Sequence, residues 1–215
     1  MRCILFRLVG VALSFSLLLL AACSGGLLGK GTQEPTRFYQ LQAISESSMP
    51  ERILKGGEEP VAIALSVGNF PDYLSRSQIV TRSSDNRLQL APFDHWAEPI
   101  RVNFNRVLLV DLSNQLGTDR IYYFPWKKSR SVDYEVLVDV ARFDGELGGD
   151  VVLIARLSIF DAKGREELVT ESARVTVPAG TEDYEAQVAA MSRAVGELSR
   201  NIAESIKKLQ QSGSG

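Results

Sequence analysis

Three consecutive strand-like segments between residues 132 and 177 constrain the fold of this chain more than any other feature. From Val132 to Val140, apolar residues at even positions alternate with charged or small ones, which is typical of a strand with one buried face. Segment 150–160 is apolar on both faces, so it is either central in a sheet or covered on both sides. A third strand is predicted for 166–177. The short links between the three predict an antiparallel meander.

Two helices are predicted from apolar residues that recur at steps of three and four. The first starts at Pro99, a residue tolerated at the first helical position, and ends at Gly117, the predicted C-cap. The second follows Thr181, the predicted N-cap, and its first turn is rich in acidic residues, which favour a helix start. Its apolar stripe runs from Tyr184 to Leu209.

Shorter strands precede these elements. Residues 61–67 carry large branched side chains at odd positions, 78–82 and 87–91 flank a polar turn as in a hairpin, and 38–41 form a short strand candidate. The order of elements predicts an α+β fold: a single domain with a largely antiparallel sheet and two helices packed on one face. We predict that this domain spans residues 38–210.

The beginning of the chain has the layout of a secretory signal. Arg2 and Arg7 precede an apolar run from Leu8 to Ala22, and residues 1–22 contain no acidic residue. This run is shorter than the about 20 apolar residues that a membrane-spanning helix needs. Residues 1–22 are therefore predicted to be a cleaved signal peptide.

The end of the run, Leu20-Ala21-Ala22-Cys23, resembles the lipobox of bacterial lipoproteins, in which the peptide is cut before a cysteine that becomes acylated. We therefore predict cleavage between Ala22 and Cys23 and a lipid anchor, such as palmitate, on Cys23. The alternative is a buried cysteine or a disulfide, but the other cysteine, Cys3, lies in the segment predicted to be removed. Ser24 stands where, by the same resemblance, Asp would signal retention at the inner membrane. An outer-membrane location is therefore favoured.

Three polar segments complete the predicted organisation. Residues 23–37 are rich in Gly, Ser, Thr and Pro, which indicates a lipidated flexible tether. Residues 45–60 read as a loop, and 211–215 as a flexible tail.

Composition excludes several functions. A net charge of −2 gives no basic field for nucleic-acid phosphates. One His and two Cys are too few for a zinc cluster. Asp133, Glu135 and Asp139 could be imagined as a Ca²⁺ cluster, but their alternation fits the solvated face of a strand. We predict neither a metal nor a cofactor.

Catalytic chemistry has one candidate, His95, which lies between Asp94 and Glu98. Either carboxylate could orient it as a general base. Neighbouring residues of an extended segment point to opposite sides, however, and no Ser or Cys nucleophile stands in a recognisable motif. We therefore interpret His95 as a surface or helix-start residue and the chain as a protein without enzyme activity.

The stretch from Val67 to Arg82 resembles the paraquat-inducible protein C family, whose members are also described as ABC-type transport auxiliary lipoproteins. Its pattern P-x-Y-L-x-R-x-Q-I-V-x-R is followed by W-A-E-P at residues 96–99. The resemblance covers about residues 38–210, and the lipobox agrees with it. His95 departs from the family, in which Arg is more frequent at this position.

This resemblance implies an outer-membrane lipoprotein that faces the periplasm and serves an MCE-domain lipid transport system. Such a protein would dock the far end of the periplasmic tube to the outer membrane, as a ring-like homo-oligomer. The family brings no catalytic residues. Its matching loop residues are candidates for subunit or partner contacts: Pro71, Asp72, Tyr73, Leu74, Arg76 and Arg82.

Three functional hypotheses follow. The leading one is a docking subunit for phospholipid transport between two membranes, which supports envelope integrity. The second is a structural assembly factor for outer-membrane proteins or lipopolysaccharide, with the same anchor and a similar domain. The third is a periplasmic hydrolase centred on His95.

Overall fold

The computed structural model of the protein describes residues 34–44, 60–123, 131–163 and 166–213. The predicted signal peptide 1–22, Cys23, and most of the tether 23–37 and of the loop 45–60 lie outside the described residues.

Eight strands and two α-helices occur within the described residues. In chain order they are β1 (Arg37–Tyr39), β2 (Ile63–Val67), β3 (Gln78–Ser84), β4 (Arg87–Trp96), α1 (Ile100–Leu116), β5 (Ile121–Tyr123), β6 (Tyr134–Gly145), β7 (Asp150–Asp161), β8 (Glu167–Pro178) and α2 (Tyr184–Gly213). A 3₁₀ turn, Asp72–Leu74, precedes β3.

These strands form two sheets. The smaller has the order β1-β4-β3, with β1 parallel and β3 antiparallel to β4. The larger has the order β5-β2-β6-β7-β8, and β6, β7 and β8 form the predicted antiparallel meander. Because β7 lies between β6 and β8, its nearly continuous apolar sequence fits a central strand.

The α+β class, the single domain and the two helices are confirmed, and the described residues from Thr36 onward form one compact unit. The arrangement of strands differs from the largely antiparallel single sheet that was predicted. There are two sheets, and β2 is parallel to both of its neighbours, β5 and β6. Parallel neighbours need long connections, so local alternation alone does not reveal which distant strands pair.

Both helices lie on one face of the five-stranded sheet, as predicted. Phe104 of α1 packs edge-on against Phe143 of β6, with ring centroids 5.4 Å apart. Helix α2 packs against β7 and β8. On β8, Val175 and Val177 point toward the helices and are buried, whereas Thr176 between them is exposed. Each such buried side chain contributes about 1.5–3 kcal/mol of hydrophobic stabilisation.

The ends of the helices confirm one cap and correct the other. Gly117 adopts the left-handed conformation at the end of α1, with φ of 64°. At the start of α2, Asp183 Oδ1 accepts the Ala186 N–H at 2.7 Å. The prediction of Thr181 as the N-cap is wrong because it precedes the first helical residue by three positions, and its hydroxyl donates to Asp183. Helix α2 continues to Gly213, into the segment predicted as a tail.

Two carboxylates of the predicted solvated face bind the backbone near β2. Asp133 Oδ2 accepts the Ala62 N–H, and Asp139 Oδ1 accepts the Asn69 N–H, each at 2.7 Å. Gly68 leaves room for this contact, because a Cβ there would collide with the Asp139 carboxylate. Within the described ranges, no group of three or more His, Cys, Asp or Glu residues is placed to hold a metal ion.

Candidate functional site

The two sequence motifs meet at a groove between the segment after the 3₁₀ turn and the connection from β4 to α1. The Trp96 N–H donates to the Ser77 carbonyl at 2.7 Å, and the Ala97 N–H donates to the Tyr39 carbonyl at 2.8 Å. The first bond joins the two walls of the groove, and the second ties the β4–α1 connection to β1. The groove has a volume of about 470 Å³, within the range of small-ligand pockets.

Apolar side chains make up most of the groove. Trp96 and Ile100 are almost completely buried beneath it, whereas Val102, at the start of α1, is 53% exposed. Ala97 and Pro99 add further exposed apolar surface. Val102 therefore extends the apolar surface of the groove toward solvent.

The charged residues of the groove leave it with a positive balance. Glu98 is neutralised by an ion pair with Arg106. The Arg101 guanidinium donates to two neutral acceptors, the carbonyls of Val67 at 2.9 Å and Gly68 at 2.7 Å. Arg76 is exposed and pairs with no carboxylate in the part of the chain that the structure describes. Two cationic groups therefore line the groove without a compensating carboxylate.

Behind the groove-forming loop lies a buried charge cluster centred on Asp144, which is fully buried. Arg82 donates from Nε to Oδ1 and from Nη2 to Oδ2, each at 2.9 Å. Arg142 Nε donates to Oδ1 at 2.9 Å, and the Tyr73 hydroxyl donates to Oδ2 at 2.6 Å. The cluster thus attaches the 3₁₀ turn and β3 to the end of β6.

Ionisation in this cluster follows from its contacts. Burial opposes the charge of Asp144, but the hydrogen bonds from Arg82 and Tyr73 outweigh it, so the pKa of Asp144 lies below its ordinary value. Burial, followed by the hydrogen bond to Asp144, raises the pKa of Tyr73 to about 12. At neutral pH, Asp144 is therefore an anion and Tyr73 a neutral donor.

The six residues proposed as partner contacts occupy three different environments. Leu74 is 1% exposed and belongs to the core. Tyr73 and Arg82 bind Asp144 inside the protein. Asp72 and Arg76 are exposed, and Pro71 is half-buried. The contact hypothesis therefore narrows to these last three. No local pattern indicated the role of Asp144, because its partners Tyr73 and Arg82 are 71 and 62 residues away in the sequence.

A second carboxylate, Asp94, binds β1 to the smaller sheet. Arg37 donates from Nε at 2.7 Å and from Nη2 at 2.9 Å, and the Tyr39 hydroxyl donates at 2.8 Å. Burial opposes ionisation, but these donors lower the pKa of Asp94. The ring of His95 instead packs on Phe38, with centroids 6.1 Å apart. Asp94 therefore does not orient His95 as a base.

The segment that follows β1 crosses the two helices and is held by their side chains. On α1, Asn103 Oδ1 accepts the Leu41 N–H at 2.5 Å and Asp111 Oδ1 accepts the Ile44 N–H at 3.0 Å. On α2, Ser192 Oγ accepts the Gln42 N–H at 3.1 Å. We call residues 41–44 the strap. The other oxygen of the buried Asp111, Oδ2, has no hydrogen-bond partner among the described residues. Burial raises the pKa of Asp111 to about 6.

Within the described part of the chain, neither helix combines the length and apolar character required to cross a bilayer. The long helix α2 instead carries a one-sided apolar stripe, from Val188 to Ile206, that is buried in the core. This stripe was predicted from the sequence.

Comparisons with known proteins agree with this fold. A family described as ABC-type transport auxiliary lipoprotein component matches residues 39–203, which is more than half of the chain. The chain is 25% identical over 195 residues to the intermembrane transport lipoprotein PqiC of Escherichia coli (strain K12), covering 88% of this chain and 93% of that protein.

Two solved structures share the fold. A crystal structure of a protein from Xanthomonas campestris has a TM-score of 0.66 at 14% identity, covering 84% of this chain and all of the other. A crystal structure of an uncharacterized protein has a TM-score of 0.63 at 21% identity, covering 80% of this chain and 99% of the other. At these identities the likeness concerns the fold alone.

Proposed function

The chain belongs to the family of ABC-type transport auxiliary lipoprotein components, and from this premise we propose that it docks an MCE-type intermembrane phospholipid transport system to the outer membrane. The observation that carries the proposal is the family match across residues 39–203, together with its relative, named as an intermembrane transport lipoprotein. The role is non-enzymatic: the protein holds other components in place and supports envelope integrity.

Attachment to the membrane is proposed to rest on Cys23. Cleavage between Ala22 and Cys23 would leave an acylated cysteine at the start of a 23–37 tether, and several acyl chains hold a protein on a bilayer more firmly than one. The tether would keep the domain near the periplasmic face of the outer membrane. The lipobox at residues 20–23 supports this anchor.

Partner contact is proposed to use the exposed residues of the segment around the 3₁₀ turn, beside the groove. Asp72 and Arg76 are both exposed on the segment around the 3₁₀ turn, and the Asp144 cluster fixes that turn on the sheet. A rigidly held, exposed loop beside an apolar groove suits recognition of another protein. The partner would be the MCE-domain protein, and the chain itself would form a ring-like homo-oligomer.

A gentle detergent extract of the membranes tests this function. The expected result is a complex whose mass exceeds that of one chain and which contains an MCE-domain protein. Recovery of a monomer without a partner would contradict the proposal. Co-purification with components that assemble outer-membrane proteins or lipopolysaccharide would instead favour the second hypothesis.

Two variants test which residues attach the protein to the membrane and to its partner. Cys23→Ser is expected to release the chain from the outer-membrane fraction, because lipid alone anchors it. The charge reversal Arg76→Glu is expected to reduce co-purification, whereas Arg87→Glu, an exposed arginine at the β3–β4 turn, is the matched control and should leave it unchanged.

A further inference from the structure

We propose that the groove between residues 75–77 and 96–102 binds one acyl chain of an anionic phospholipid, with the lipid phosphate at Arg76. This inference rests on the proposed function, because a lipid transport system is the setting in which a phospholipid would reach the groove. It adds a direct role in lipid contact to a subunit otherwise described as a docking element.

The volume and the lining of the groove suit a single alkyl chain. Its volume of about 470 Å³ lies in the lower half of the range for small-ligand pockets, about 300–1,000 Å³. Trp96 and Ile100 form an apolar base, and the exposed Val102 extends the apolar surface toward solvent. Burying Val102 under a chain would remove apolar area from water, at about 25 cal/mol per Å².

The charge of the groove selects an anionic amphiphile. The chain as a whole is acidic, with a net charge of −2. The groove has the opposite charge: among the described residues Arg101 donates only to carbonyl groups, and Glu98 is already paired with Arg106. Arg76 is exposed and has no carboxylate partner among the described residues. A guanidinium favours phosphate oxygens, because its N–H groups match their geometry.

Arg76 is the better test of headgroup recognition than Arg101. Arg101 is tied to the carbonyls of Val67 and Gly68, so its replacement would also disturb the end of β2. Arg76 makes no such contact in the described part of the chain, and its replacement should leave the fold intact. Arg76→Gln removes the charge, whereas Arg76→Lys keeps it.

The experiment is photocrosslinking of the full chain in living cells grown with radioactive phosphate. The photoreactive residue p-benzoylphenylalanine replaces Val102 in the groove or, as a matched control, Leu168 on β8, which is 36% exposed and lies outside the groove. After irradiation and denaturing electrophoresis, we expect radioactive label at the mass of one chain from position 102 and none above background from position 168. Phospholipase C, which cleaves the bond between glycerol and phosphate, should remove the label.

Arg76→Gln in the position-102 variant should lower the label about tenfold, the effect of losing one charge-assisted hydrogen bond. Arg76→Lys should retain more label than Arg76→Gln. Equal labelling of the position-102 variant with Arg76, with Arg76→Gln and with Arg76→Lys would overturn the role of Arg76 in phosphate binding.

Three outcomes would overturn the groove proposal. The first is no label above the position-168 control. The second is a crosslink to another protein or to a second copy, seen as a shift in mass without phosphate label. The third is a label that resists the phospholipase, which would identify lipopolysaccharide instead. Co-purification of the unmodified chain with an MCE-domain protein is scored separately, so the docking function can stand or fall independently of the groove.

Discussion

Arg82 and Asp144 are 62 residues apart in the sequence, yet they form a two-bonded ion pair with both nitrogen–oxygen distances at 2.9 Å. The pair fastens β3 to β6, and Tyr73 adds the 3₁₀ turn to the same carboxylate. The loop beside the groove is therefore positioned by a buried charge. Removal of that charge should lower the stability of the protein and loosen the attachment of the loop.

Replacement of Asp144 by Asn should destabilise the protein by about 3 kcal/mol, because it leaves the partly buried Arg82 and Arg142 without an anionic acceptor. Urea unfolding followed by tryptophan fluorescence measures the change. Asp150→Asn, at an exposed position on β7, is the control and should change stability by less than about 0.5 kcal/mol. A loss below about 1 kcal/mol for Asp144→Asn would show that the cluster does not hold the loop.

The strap should respond to pH through Asp111. Burial raises the pKa of Asp111 in the folded protein to about 6, from an ordinary value of 3.8. The contribution of this carboxyl group to folding stability is therefore fully present below about pH 4 and is lost as the pH rises through about 6. Thermal unfolding of the wild type and of Asp111→Asn between pH 4 and pH 8 measures this dependence. We expect the difference in stability between the two to shift in favour of Asp111→Asn as pH rises. A difference independent of pH would contradict the buried, half-satisfied carboxylate.

Gly196 of α2 makes room for the strap. A Cβ at this position would collide with the terminal methyl of Ile44, which is 46% exposed. Gly196→Ala should therefore displace Ile44, and this cost should cancel much of the about 1 kcal/mol that Ala gains over Gly in a helix.

In an Ile44→Ala background the same substitution should stabilise the protein by about 1 kcal/mol, because the obstacle is gone. A double-mutant cycle measured by urea unfolding gives the coupling. Additive effects of the two substitutions would mean that Ile44 does not pack on Gly196 in solution.

Loss of the Arg37–Asp94 contact should open β1 without unfolding the domain. Arg37→Gln removes the charged donor from a buried carboxylate, and the parallel pairing of β1 with β4 is only three residues long. Hydrogen exchange at the Ala97 amide, which donates to the Tyr39 carbonyl, should accelerate about tenfold. Arg87→Gln serves as the control, and unchanged exchange in Arg37→Gln would refute the role of this ion pair.

The sequence by itself determined the elements whose side chains follow a local period. The β6–β8 meander, the β3–β4 hairpin, both helices and the Gly117 cap were all predicted, because burial of one face imposes a period of two or about 3.6 on neighbouring residues. The family resemblance was likewise readable from two short motifs, and the family match agrees with it.

Only the tertiary structure decided how these elements meet. The division into two sheets, the parallel pairing of β2, and the roles of Asp144 and Asp111 depend on residues distant in the sequence. Leu74, predicted as a contact residue, belongs to the core, and the groove arises where Arg76 and Val102 are brought together. A local sequence pattern predicts that a carboxylate is exposed to solvent. It cannot reveal a buried one such as Asp144, because the charge of a partner distant in the sequence offsets the cost of burial.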